Sequence, residues 1–159
     1  ILLTGASSGI GEALALYYAS QKETENLFIC GRNEQRLLAV KNSCEQKGKA
    51  SVHAKVLDIT NKSAVETWIN EAEKTAYLNL VIANAGVATL EETPENIYNT
   101  FNINVFGVLN TVTPAVELYK KRKDKDKIIA IISSIAGYHG LPSRRLPRRW
   151  STWGTGICG

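Results

Sequence analysis

Short, unbroken apolar runs alternate along this chain with longer stretches in which apolar residues recur every three or four positions, the pattern of buried strands separated by amphipathic helices. The runs predict five strands, at residues 1–3, 27–30, 52–57, 78–83 and 128–132. A first helix is expected at about residues 11–20, with Ile10, Leu14, Tyr17 and Tyr18 on one face. The second, over residues 34–46, turns Leu37, Val40 and Cys44 inward and stops near Gly48. Thr60 or Asn61 caps a third, which carries Val65, Trp68, Ile69 and Ala72. Thr93 followed by Pro94 marks another start, a capping hydroxyl and then proline at the first helical position. That helix is expected to run to about Lys120 with a kink at Pro114.

Strands alternating with crossover helices predict an α/β fold, a doubly wound parallel sheet. Right-handed crossovers make 3-2-1-4-5 the expected strand order, a Rossmann-like arrangement. No internal repeat or linker divides the chain, so one domain is expected. Its sequence character changes at residue 144. The net charge of +4 comes entirely from Arg144, Arg145, Arg148 and Arg149, and the rest of the chain is balanced. We read residues 1–143 as the domain and 144–159 as an atypical tail, foreign to it and possible to explain by translation in a shifted frame, in preference to a nucleic-acid patch. No run is long enough to span a bilayer, and no membrane or nucleic-acid partner is expected. Cys30, Cys44 and Cys158 lack C-x-x-C spacing and read as reduced thiols, with no metal site, in keeping with a cytoplasmic protein.

Chemistry enters with Thr4-Gly5-Ala6-Ser7-Ser8-Gly9-Ile10-Gly11, which leaves the first strand and opens the first helix. Glycines in such a turn permit unusual dihedrals and bring bare backbone close to a phosphate, while the helix N-terminus faces the anion. Three more motifs follow: Asn84-Ala85-Gly86 after an apolar strand, Asn104-Val105-Phe106-Gly107 within a helix, and Ser133-Ser134-Ile135-Ala136-Gly137 after the last strand. With its G-x-x-x-G-x-G loop and these three motifs in order, the chain resembles the short-chain dehydrogenases/reductases. The resemblance covers residues 1 to about 143. It implies a chain that begins inside the family's first strand and ends before its last strands.

A nicotinamide dinucleotide and a small carbonyl or alcohol substrate are implied by that resemblance, as is a parent family that is often homo-oligomeric. Cofactor contacts are expected at Thr4, Gly5, Ser7, Ser8, Gly9, Ile10 and Gly11, at Asn84, Ala85 and Gly86, and at Asp58 near the adenine. Asn84 is also expected to tie adjacent strands. Where an acidic side chain would bind the ribose hydroxyl of NAD, this chain has Gly31 followed by Arg32. Glycine leaves room for a 2'-phosphate and arginine binds it with a planar, permanently charged fork, so NADP(H) is expected over NAD(H).

By motif, Ser134 matches the family's substrate-holding serine and Asn104 the asparagine that positions a water. The family's acid/base tyrosine, about thirteen residues past the serine, and its lysine four further on fall at Pro147 and Ser151. Tyr138 is only four residues past Ser134, with Pro142 where its lysine would stand. We reject it, and the loop residue His139, as the acid. Two function classes follow. One is an oxidoreductase whose C-terminal part is lost or misread, which makes this chain inactive as it stands. The other is a binding-only, dinucleotide-sensing pseudoenzyme. The abrupt change at Arg144 favours the first.

Overall fold

A computed structural model describes residues 1–89, 91, 93–123 and 126–134. Its strands are β1 (Leu2–Thr4), β2 (Asn26–Gly31), β3 (Ser51–Val56), β4 (Leu80–Ala83) and β5 (Ile128–Ile131). All pair in parallel, in the order β3-β2-β1-β4-β5. Strand ends fall within a residue or two of the apolar runs. The register sets Leu3 opposite Ile29 on one side and Ile82 on the other. The expected doubly wound sheet is therefore present, with its predicted order.

Side chains on a strand alternate between faces, and each face of this sheet has its own core. Leu3, Leu27, Ile29 and Ile82 point towards helices α1 (Gly9–Ser20) and α2 (Glu34–Lys47), where they meet Ala15, Leu37, Val40 and Cys44. Leu2, Phe28, Cys30 and Val81 point the other way. They meet Val65, Trp68 and Ile69 of α3 (Lys62–Thr75) and Ala115 and Tyr119 of α5 (Val108–Lys120). Burial on both faces explains why β2 reads as an unbroken apolar run.

The inward face of α1 corrects the expectation. Gly11, Ala15 and Ala19 are buried, whereas Ile10 and Tyr17 are 63% and 57% exposed. Small residues let the helix axis approach the sheet, and the bulky apolar ones are displaced to its flanks. In α2 the expected Leu37, Val40 and Cys44 are the buried set.

Helix starts follow their capping residues. Asn33, Asn61 and Thr93 each accept a backbone N–H three residues on, at 2.9, 3.1 and 3.2 Å, for α2, α3 and α4 (Pro94–Phe101). The long helix expected from Thr93 onward is instead three pieces, with a π-helical segment at Asn102–Gly107 between α4 and α5. Pro114 lies inside α5.

A charged clasp holds the entrance to β4. The Glu73 carboxylate accepts the Leu78 N–H at 2.7 Å, and Arg122 Nη1 donates to Glu73 at 3.2 Å and to the Leu78 carbonyl at 2.7 Å. The Arg122 guanidinium also lies over the Tyr77 and Tyr119 rings, 5.0 and 5.6 Å from their centroids. Arg122→Met is expected to lower stability by about 2 kcal/mol, because a nearly buried carboxylate and a carbonyl each lose a charged donor. A urea midpoint unchanged from the parent chain would refute it.

Candidate functional site

Parallel strands place the C-terminal ends of β1, β2, β4 and β5 along one edge. The reversal of strand order between β1 and β4 makes a crevice there, the usual ligand position in an open α/β sheet. A cleft of about 480 Å³ occupies that place, bounded by the turns after β1, β2 and β3 and the segment after β4.

The turn after β1 forms its floor. Gly5 and Gly9 have φ of +71° and +59°, which glycine alone adopts without strain. Gly5 also packs against the segment leaving β4, and a Cβ there would stand 2.6 Å from Ala85 Cα. Gly11 backs the same turn, where a Cβ would run into the Gly5 carbonyl oxygen and come within 2.6 Å of Asn84 Nδ2. Ser8, at the N-cap of α1, makes no side-chain cap bond, and the first helical bond runs from Glu12 N–H to the Ser8 carbonyl at 3.3 Å. The opening N–H groups of α1 thus have no intrahelical acceptor, and Ser8, Ile10 and Gly11 line the cleft. An anion is favoured at such an end.

Thr4 and Asn84 fasten the floor to its neighbour. The Thr4 hydroxyl accepts the N–H groups of Asn84 and Ala85 at 3.1 and 3.2 Å, and Asn84 Nδ2 donates to the carbonyls of Thr4 and Gly5 at 3.0 and 3.3 Å. Asn84 ties β1 to β4 as expected. Thr4 is buried and supports the cleft without lining it; Gly9 is absent from the lining too.

At the β2 end, Gly31, Arg32, Asn33 and Arg36 form the wall. A Cβ on Gly31 would stand 2.9 Å from Ser7 Cβ. Close packing against the β1 turn therefore requires this glycine, beyond the room it leaves for a ligand. Asp58 lines the opposite side, and its Oδ1 accepts both N–H and hydroxyl of Thr60 at 2.9 Å. It shapes the β3–α3 turn, while Asn61 caps the helix. Beneath the wall, burial pushes the Cys30 thiol up to about 12, and Cys44 behind it to about 11. Both remain neutral packing groups at physiological pH.

Two other predicted residues, Asn104 and Ser134, are not among those that line the cleft. Asn104, buried in the π-helical segment, accepts the Val87 N–H at 2.8 Å and donates to the Val87 carbonyl at 2.9 Å. Its amide pins the segment leaving β4, and Val87 in turn lines the cleft. Ser134 is half-buried, three residues past the Ala83–Ile131 pair, at the same edge of the sheet. Tyr138, His139, Pro147 and Ser151 lie outside the described residues. Among the described residues no cluster of His, Cys, Asp and Glu is suited to a metal, and no helix is long and apolar enough to cross a membrane. Arg36 was not anticipated from sequence, although it follows Arg32 by one turn's spacing.

A doubly wound parallel sheet with a glycine-floored cleft at its switch point defines a dinucleotide-binding protein. The family described as short chain dehydrogenase matches residues 1–145, and the chain belongs to it. It is 33% identical over 146 residues to a 3beta-hydroxysteroid dehydrogenase of Mediterraneibacter gnavus, covering 90% of this chain and 52% of that protein. A diacetyl reductase [(S)-acetoin forming] of Staphylococcus epidermidis is 33% identical over 142 residues, covering 86% and 54%. The crystal structure of a short chain dehydrogenase from Mycobacterium paratuberculosis bound to NAD superposes with a TM-score of 0.75 at 25% identity, over 86% of this chain and 55% of that one. The chain thus spans about half the length of the curated relatives it matches. The family relationship supports a nicotinamide cofactor, and the bare backbone of Gly5 and Gly11 fits such a group.

Proposed function

We propose that residues 1–143 form the cofactor-binding unit of an oxidoreductase that uses NADP(H) to interconvert a small carbonyl compound and its alcohol. The observation that carries the cofactor assignment is the wall of the cleft, where a glycine fixed by packing stands beside Arg32, which makes no ion pair among the described residues. Glycine removes the carboxylate that would hold a ribose diol, and a guanidinium matches a phosphate.

Within this reading the opening N–H groups of α1 receive the pyrophosphate, and Asp58 borders the adenine. Asn84, Ala85 and Gly86 flank the path towards the nicotinamide. When bound, the nicotinamide supplies or accepts the hydride. Ser134 donates a hydrogen bond to the substrate oxygen. Both side-chain atoms of Asn104 are engaged by Val87, so its contribution is to hold the β4 exit in place. The family tyrosine and lysine positions, occupied by Pro147 and Ser151, favour a second reading, a pseudoenzyme that binds the dinucleotide without turning it over.

Fluorescence titration with NADPH and NADH tests the assignment. NADPH should bind more tightly, and Arg32→Ala should weaken NADPH by about ten-fold or more while sparing NADH, since a charge-assisted contact to phosphate is lost. Equal affinity of the parent chain for both would overturn the role of Arg32. Failure to bind either would overturn the reading of the cleft.

A further inference from the structure

We infer that Asn110, in the first turn of α5, is a positioning residue for the adenine end of the cleft, acting through the backbone of the turn between β3 and α3. This inference rests on the reading of Asp58 as the border of the adenine and adds to it what holds that border in place. Asn110 Nδ2 donates to the Ile59 carbonyl at 2.9 Å and to the Thr60 carbonyl at 3.4 Å, 51 and 50 residues earlier in the chain. Leu57, Asp58 and Ile59 line the cleft, and Asn110 does not. Its amide therefore reaches the ligand only through the turn it grips.

A second contact from the same helical stretch converges on Ile59. Gly107 is buried against it, and a Cβ there would run into Ile59 Cδ1 and stand 2.7 Å from Cγ1. The Gly107 carbonyl is taken up by the Thr111 hydroxyl at 3.0 Å, where the π-helical segment passes into α5. Three residues before Gly107, Asn104 holds Val87. One stretch of helix thus fixes both the exit of β4 and the turn after β3, and π-helical turns are rare outside functional sites. Closing the turn does not require this grip. Asn61 already caps α3, Asp58 already holds Thr60, and the Leu57 N–H already donates to the Gly31 carbonyl at 3.1 Å. What Asn110 and Gly107 add is the placement of Ile59, and with it of Asp58 beside it. The second carboxylate oxygen of Asp58 has no partner among the described residues. Held in place, it is an acceptor ready for the exocyclic amine of adenine, at no ordering cost on binding.

Fluorescence titration of the full chain with NADPH and with its hypoxanthine analogue, in which an oxo acceptor replaces the amine donor, tests the inference. The forms compared are the parent, Asn110→Ala, Asn110→Asp and Gly107→Ala, each with its urea midpoint. The parent should prefer NADPH. Asn110→Ala should weaken NADPH by about ten-fold through the loss of one to two hydrogen bonds to the turn. The analogue should change far less, because it has no bond with Asp58 to lose, so the preference shrinks. Asn110→Asp keeps the size of the side chain and removes the donor, and should act in the same way. Gly107→Ala displaces Ile59 from the same helix and should shift the preference in the same direction. A preference that survives both Asn110 variants would overturn the role of Asn110 and leave that of Asp58 standing. Equal weakening of both dinucleotides would overturn it too, by showing a general loss of structure. A parent that binds both equally would overturn the reading of Asp58, and the inference with it.

Discussion

Gly11→Val should abolish dinucleotide binding and lower the stability of the chain by about 3 kcal/mol or more. The cause is close approach. A Cβ at residue 11 meets the Gly5 carbonyl and Asn84 Nδ2, and these two groups are themselves bonded to each other. Neither yields without disturbing the other Asn84 bond, to the Thr4 carbonyl, and with it the tie between β1 and β4. Domains of this size have total stabilities of roughly 5–15 kcal/mol, so the loss is a large share. Gly9→Ala provides the contrast. Nothing lies within 4 Å of a Cβ there, and only the positive φ is strained. Its expected cost is about 1–2 kcal/mol, the penalty of a left-handed conformation for a residue with a Cβ, with the fold retained. Urea unfolding and NADPH titration of both variants measure the difference, and a Gly11→Val chain with the parent's midpoint and affinity would contradict the packing argument.

That contrast marks how far the sequence alone is informative. Strand positions were legible because a strand covered on both faces leaves a run such as Leu27 to Cys30, and helix starts because Asn61 and Thr93 cap in the expected way. The inward face of α1 was not. Apolar periodicity points to the largest side chains, but a helix held against the sheet buries its smallest, Gly11, Ala15 and Ala19. The π-helical segment around Asn104 was equally hidden, since its purpose is tertiary. Asn104 bonds Val87, 17 residues earlier in the chain. Gly31 illustrates a third limit. Read alone, it is room for a phosphate; in the fold, it is also the surface against which Ser7 packs. Arg36 had a usable signal in its spacing from Arg32 and its place behind the Asn33 cap, but only the cleft shows that both line one wall.

No NAD(P)H-dependent carbonyl reduction is expected from the 159-residue chain itself. Reduction of a carbonyl needs a proton delivered to the oxygen as hydride reaches the carbon, and a placed acid contributes about 10²–10⁴-fold. The resemblance puts a tyrosine in that role, with a lysine to lower a phenol pKa near 10. By the spacing of that resemblance from Ser134, those positions are expected at Pro147 and Ser151, which offer no such acid. Ser134 can hold the oxygen, but a serine hydroxyl is far too weak an acid to replace the phenol. Replacing residues 144–159 with a continuation that carries tyrosine and lysine four apart, followed by the family's remaining strands, should therefore establish turnover of NADPH with a carbonyl substrate. Coding DNA that specifies such a pair in another frame would favour the damaged oxidoreductase over the binding-only reading. The decisive counter-result is turnover by the present chain that disappears with Tyr138→Phe or His139→Ala. It would show that the proton comes from the segment just after Ser134 and that this site departs from the family's in its acid while keeping the same cleft.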